Sequence, residues 1–219
     1  MPFEQHLRAV FDKFGIETVF DVGANAGQFR DFLRDRAGFE GVIHSFEPVS
    51  HLSQKLVTRA RSDSNWQIHN VALGATDAKL EINVTASDTF SSFREASVGT
   101  GSPFASSMTI RDREEVAVRR ADDLWPTLVV APQKLYLKVD TQGFDLEVLR
   151  GSVQLLREVP ALQFELPVQR IYKGTPHYLE MLQQLEDWGF VPSGLFPITV
   201  DDKLRVVEYD CVMVKAPNA

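Results

Sequence analysis

Four acids and one lysine stand where apolar, strand-like runs end. Asp21 follows Thr-Val-Phe, Glu47 follows His-Ser-Phe, Asp140 closes Leu-Tyr-Leu-Lys138-Val, and Glu165 closes Ala-Leu-Gln-Phe. A carboxylate in such a place can act as a general base, accept hydrogen bonds from hydroxyl groups, or help to hold a hard divalent cation. Lys138 and Asp140 are two residues apart, so in a strand they face the same side. They form either a pair placed for chemistry or a structural ion pair. Asp140 and Glu165 share one cleft if their strands are neighbours. Asp21 lies inside its strand and needs hydrogen bonds there, from the next turn or from a cationic ligand.

Asp21-Val22 runs into Gly23-Ala24-Asn25-Ala26-Gly27-Gln28 and then into helix-like sequence. Strand, glycine turn and helix together build a nucleotide-shaped pocket at a strand end. Gly23 and Gly27 allow a tight turn and close approach of the backbone to a ligand. The helix that follows turns its free N–H groups toward the same place. The second and third glycines of G-x-G-x-x-G are missing. An acid followed by G-x-x-x-G fits an S-adenosylmethionine pocket better than a nicotinamide pocket; a glycine turn without ligand is the third reading. Glu47 lies about twenty residues further on, where an acid can accept from both ribose hydroxyls. A surface glutamate is its plain alternative, and Pro48 turns the chain away from the strand.

The remaining reactive types are sparse. His44 and His69 lie on strands and read as satisfied core or edge residues. His51 and His177 lie near strand-end loops, where either could serve as a base. No His-x-x-x-His spacing occurs. Cys211 is the one cysteine and reads as a buried apolar residue, so no internal disulfide can form.

These groups need a scaffold to position them. A chain of 219 residues, 44% hydrophobic and 24% charged, suits one soluble α/β domain over 1–219. The net charge of −7 argues against a nucleic-acid partner. No apolar run is long enough to span a bilayer and the first residues lack a leader pattern, so a reducing cytoplasm is expected. Phe3, Leu7, Val10, Phe11 and Phe14 predict a helix over about 3–14. Strands are expected at 18–22, 42–47, 66–71, 80–84, 135–139 and 161–165. Helices are expected at 28–36, through Leu52 and Val57, from Leu146 to Leu156, and from Leu179 to Gly189. The runs 190–200 and 205–215 read as a closing hairpin around Asp201-Asp202-Lys203. The order predicts a Rossmann-like, doubly wound sheet, mostly parallel, with an antiparallel edge. Residues 87–109, rich in Ser and Thr and carrying Phe90, Phe93 and Phe104, read as a lid rather than a floppy loop.

The motifs resemble the FkbM-type family of S-adenosylmethionine-dependent methyltransferases. Matching pieces are residues 20–29, Ser-Phe-Glu-Pro at 45–48, Asn-Val-Ala-Leu-Gly at 70–74, Ala-Asp-Asp-Leu at 121–124, the run 135–151 and Tyr-Asp-Cys-Val-Met-Val at 209–214. The Lys-x-Asp-x-x-Gly-x-Asp segment is the most specific. The resemblance implies a seven-stranded sheet and methyl transfer to an oxygen of a small molecule, sugar, glycolipid or secondary metabolite. It implies that Asp21, Gly23, Asn25 and Gly27 line the methionine side of the cofactor, that Glu47 binds the ribose, and that Val71, Ala72 and Leu73 flank the adenine. Gln28, Pro48, Asp140 and Gln142 complete the expected cofactor-binding set. Lys138, Asp140 and Glu165 would be the catalytic group. Gln142 stands where the family often has Glu, and an amide is a weaker metal ligand and no base, so a magnesium requirement stays open. A pocket-retaining protein without catalysis, binding a nucleotide or serving as a scaffold, is the alternative. The oligomeric state is not legible.

Overall fold

A computed structural model describes residues 1–97 and 105–217. Its main sheet holds β1 (Thr18–Val22), β2 (Val42–Phe46), β3 (Trp66–His69), β7 (Leu135–Val139), β8 (Ala161–Pro167), β9 (Phe190–Val200) and β10 (Val206–Lys215), in the order β3-β2-β1-β7-β8-β10-β9. The first five are parallel neighbours, and β10 runs antiparallel to both β8 and β9. The expected mostly parallel sheet with an antiparallel closing hairpin is therefore present. A smaller sheet holds β4 (Ala72–Leu73), β5 (Ala78–Thr85) and β6 (Ile110–Arg119) in the order β4-β6-β5.

The central strands are mostly apolar because both faces of the sheet are covered. Phe20, Leu137 and Phe164 enter one core, while Val19, Ile43, Tyr136 and Val212 enter the other. The second core is closed by α1 (Phe3–Phe14), through Leu7, Val10 and Phe11, and by Leu56 of α3 (Ser50–Ala60). The helix after the glycine turn starts as α2 (Gln28–Asp31) and continues as a π-helical stretch, Phe32–Ala37.

Several expectations need correction. The strand at 80–84 exists, but in the second sheet, paired with the unexpected β6. A helix, α4 (Ala121–Leu128), follows β6. The third strand ends at His69, before β4 begins. The helix expected from Leu146 to Leu156 is two pieces, α5 (Asp145–Arg150) and α6 (Leu155–Glu158). Gly151 lies between them against the Gly74 main chain, where a Cβ would come within 1.9 Å of the carbonyl oxygen. The last helix is α7 (Tyr178–Asp187).

Residues 87–97 and 105–109 are folded onto the body. Phe93 packs on Phe144 with ring centroids 4.7 Å apart, and Phe90 joins Met108, Ile171 and Tyr172. Phe104 lies outside the described residues.

Candidate active site

One row of polar side chains crosses four strands at the same register level. Ser45 of β2 pairs with Asp21 of β1, Asp21 with Lys138 of β7, and Lys138 with Gln163 of β8. All four are buried, at 0, 0, 5 and 2% exposure. Each sits one residue before the end of an apolar run, so the row lies just under the carboxyl ends of the strands. Burial at this depth requires partners. Trp66 Nε1 donates to Ser45 Oγ at 2.9 Å, and Ser45 Oγ donates to Asp21 Oδ2 at 3.0 Å. Lys138 Nζ donates to Asp21 Oδ1 at 3.0 Å and to the Gly23 carbonyl at 3.2 Å. It also lies 3.4 Å from Asp140 Oδ2, so the expected same-face pair is formed. Burial alone would depress the Lys138 ammonium, but Asp21 and Asp140 outweigh it and hold the group above the ordinary lysine range.

Above this row lies a cavity of about 500 Å³, within the roughly 300–1,000 Å³ of ligand pockets. Its wall includes Gly23, Asn25, Gln28, Glu47, Pro48, Ala72, Leu73, Lys138, Asp140, Gln142 and Glu165. The predicted site residues Asp21, Gly27 and Val71 are not in that wall. Asp21 is buried beneath it, and Val71 packs against the main core. Gly27, at φ +90°, is confined by protein: a Cβ there would lie 2.8 Å from Arg59 Nη1 and 3.0 Å from the Trp66 ring. Gly23, at φ +79°, is confined in the same way, because its Cβ would fall 1.8 Å from the Asp140 carbonyl oxygen. The close approach that demands these glycines is to the protein itself.

Glu47 is held at the other end of the turn. Its Oε2 accepts from Asn25 N at 2.7 Å and its Oε1 from Val49 N at 2.9 Å. Burial pushes its carboxyl up to about 7 despite these two donors. Asn25 itself takes φ +48°, and its side chain accepts from Ala26 N at 2.7 Å, which fixes the turn locally. The apolar slot beside Glu47 is lined by Val49, Leu52, Leu73, Ile82, Phe93 and Phe144.

The opposite end is acidic. Glu165 faces Asp210 across the β8–β10 ladder, and Glu208, two residues earlier, lines the same wall. Burial, together with Asp140 and Glu208, pushes the Glu165 carboxyl well above the ordinary glutamate range, and burial raises Glu208 too. Burial pushes Asp210 to about 6, although Gln163 Nε2 donates to it at 2.6 Å. Ser45, Gln163, Glu208 and Asp210 were missed by sequence reasoning. The penultimate polar residue in each apolar run was an available signal for Ser45 and Gln163. Placing the β10 acids required knowing which strand β10 joins.

Gln142 connects the acids. Its Nε2 donates to Asp140 Oδ1 at 2.9 Å and to Glu165 Oε2 at 3.1 Å, and its Oε1 accepts from Tyr172 OH at 2.9 Å. Asp140 and Glu165 thus converge as expected, with an amide between them. Among the described residues no three His, Cys, Asp or Glu side chains are arranged to hold a metal ion.

Among the described residues no histidine is in the cavity wall. His44 and His69 stack and share a 3.0 Å contact between Nδ1 and Nε2. Burial pushes His44 down to about 4. His177 caps α7, its Nδ1 accepting from Leu179 N, and His51 pairs with Asp88 at 3.2 Å. Cys211 is buried, and burial pushes its thiol to about 12. Among the described residues no helix is long and apolar enough to cross a membrane.

Comparison with known proteins places this geometry. A structure of the methyltransferase FkbM from Methylobacillus flagellatus KT aligns at TM-score 0.57 and 19% identity, over 91% of this chain and 43% of that one. The chain thus spans less than half the length of that relative. An rRNA methylase from Streptococcus thermophilus aligns at TM-score 0.52 and 10% identity, over 98% of this chain and 94% of that one. The magnesium protoporphyrin IX methyltransferase from Synechocystis PCC 6803, solved with bound SAM, aligns at TM-score 0.51 and 9% identity, over 97% and 79%. No curated protein matches the sequence. The methyltransferase FkbM domain profile matches residues 21–192, the span from the buried Asp21 through the glycine turn, the Lys138–Asp140 pair and Glu165, and on that match the chain belongs to the FkbM methyltransferase family.

Proposed function

We propose that this chain is an S-adenosylmethionine-dependent O-methyltransferase whose acceptor is a hydroxyl of a small molecule, sugar, glycolipid or secondary metabolite. The observation that carries the reading is one cavity whose wall brings together Glu47, Asp140 and, from the glycine turn, Gly23, Asn25 and Gln28. The residues present suit the cofactor. Glu47 and the Val49, Leu52 and Leu73 slot suit a ribose and an adenine. Asn25, Gln28 and the acids beyond Asp140 suit a cationic amino-acid end. Thr141 lines the cavity, and its Oγ1 is buried with no hydrogen-bond partner among the described residues.

S-adenosylmethionine would supply an electrophilic methyl group with a good leaving group already attached. What remains for the protein is alignment of the acceptor and removal of a proton. Asp140 is the group for the proton: its carboxylate is part-exposed at the cavity wall, with Oδ1 fixed by Gln142 and Oδ2 near Lys138. Lys138 holds that carboxylate and the Gly23 carbonyl in one arrangement, so base and turn move together. Glu165 is the second candidate. His177 ranks behind both, because its ring is committed to capping α7.

The test is isothermal titration of the purified chain with S-adenosylmethionine, S-adenosylhomocysteine and NADH. Micromolar binding of the two adenosyl ligands alone supports the reading and opens an acceptor screen with sugars and glycosides. Absence of both puts the non-catalytic reading first.

A further inference from the structure

The Gln142 amide touches two of the acids that line the cavity, Asp140 and Glu165. Its residue is held at φ +53°, a conformation a side-chain-bearing residue adopts at a cost. The strain is fixed from two sides: Ser92 Oγ donates to its carbonyl at 2.7 Å, and Tyr172 OH donates to its Oε1 at 2.9 Å. Both amide hydrogens are then spent, one on Asp140 and one on Glu165. In this orientation each polar atom of the amide has a partner, Oε1 on Tyr172 and Nε2 on the two acids. We infer that the Gln142 amide does here what a bridging divalent cation would do, holding Asp140 and Glu165 together so that the cleft works without a metal.

The physical argument is donor counting. Two neighbouring carboxyl groups repel unless a proton, a donor or a cation lies between them. An amide supplies two N–H donors from one atom and occupies that space. A glutamate in its place has no donor when ionised and would leave three carboxyl groups around one point. That is the oxygen-rich set a hard cation binds. Gln142 is therefore a positioning residue, acting through Asp140. The inference rests on the proposed function only in treating Asp140 as the base.

The experiment is calorimetric titration of magnesium chloride alone into wild type, Asp140→Asn, Gln142→Glu and the double variant Gln142→Glu/Asp140→Asn, with melting temperatures in magnesium and in EDTA. Expected is no saturable magnesium site in wild type. Gln142→Glu should gain a saturable magnesium site, with a melting temperature raised by magnesium. The added Asp140→Asn should weaken that site again. A saturable wild-type site that Asp140→Asn abolishes overturns the inference. So does a folded Gln142→Glu that gains no site. Should Gln142→Glu not fold, Gln142→Met keeps the length and removes the donors. Magnesium should then raise the melting temperature of Gln142→Met and leave wild type unchanged, and equal responses overturn the idea. Titration of S-adenosylhomocysteine into wild type is read separately, so failure of the cofactor reading is distinguishable from failure of this one.

Discussion

Asp21 and Lys138 are direct partners across β1 and β7, and they meet as a buried ion pair at 3.0 Å. Their burial makes the pair asymmetric in its energetics. Deleting Lys138 leaves Asp21 buried without a counter-charge, which costs about 3–5 kcal/mol. Lys138→Met should therefore lose about that much stability in urea unfolding, and Asp21→Asn less, because Lys138 keeps Asp140 at 3.4 Å. A loss below about 1 kcal/mol in Lys138→Met would mean that the row is not the support on which Asp140 rests.

The two kinds of left-handed glycine make a second prediction. Gly15 ends α1 at φ +59° with nothing near its missing Cβ, so Gly15→Ala meets only backbone strain of about 1–2 kcal/mol. Gly23 has a similar φ, but a Cβ there would fall 1.8 Å from the Asp140 carbonyl oxygen. Gly23→Ala must separate the ends of β1 and β7, and should yield little folded protein. Equal stability of the two variants in thermal melts would refute the packing argument.

Local signals were readable and relational ones were not. The apolar runs of β1, β7 and β8, the glycine turn and the Lys138-Val139-Asp140 spacing are written within a few residues each, and the structure places them where expected. β6 escaped because Ile110–Arg119 is mostly charged and exposed, with Val116 and Val118 its buried apolar residues. α4 contains Pro126, which argues against a helix in sequence. Glu208 and Asp210 became site residues through the antiparallel pairing of β10 with β8, a contact about forty residues away that no local pattern announces. The glycines were recognised as necessary, but the reason lay in the Asp140 main chain and in Trp66.

Glu47 predicts a pH dependence. Its folded-state carboxyl titrates near 7, above the ordinary 4.5. The sign is that of a raised group: its contribution to stability is complete below about pH 4.5 and is lost as pH rises through about 7. Ligand binding runs the opposite way, since accepting two ribose hydroxyls needs the ionised form. Affinity for S-adenosylhomocysteine should rise about tenfold between pH 6 and 8. Glu47→Gln should flatten that profile, and Glu47→Ala should weaken binding by about 2 kcal/mol or more, roughly thirtyfold. An unchanged dissociation constant for Glu47→Ala in calorimetry removes Glu47 from the ribose.

Asp140 predicts a split between binding and rate. Asn at this position keeps the shape and one acceptor oxygen for the Gln142 amide, but cannot take a proton. With the acceptor that a screen identifies, Asp140→Asn should lower the single-turnover rate by about a hundredfold or more at saturating cofactor. Glu165→Gln should act more mildly, because its carboxyl is already held toward the neutral form by burial and by Asp140 and Glu208. If Glu165→Gln proves the slower variant, the base is Glu165. The Lys138–Asp140 contact would then serve only to anchor the turn at Gly23, whose carbonyl Lys138 also holds.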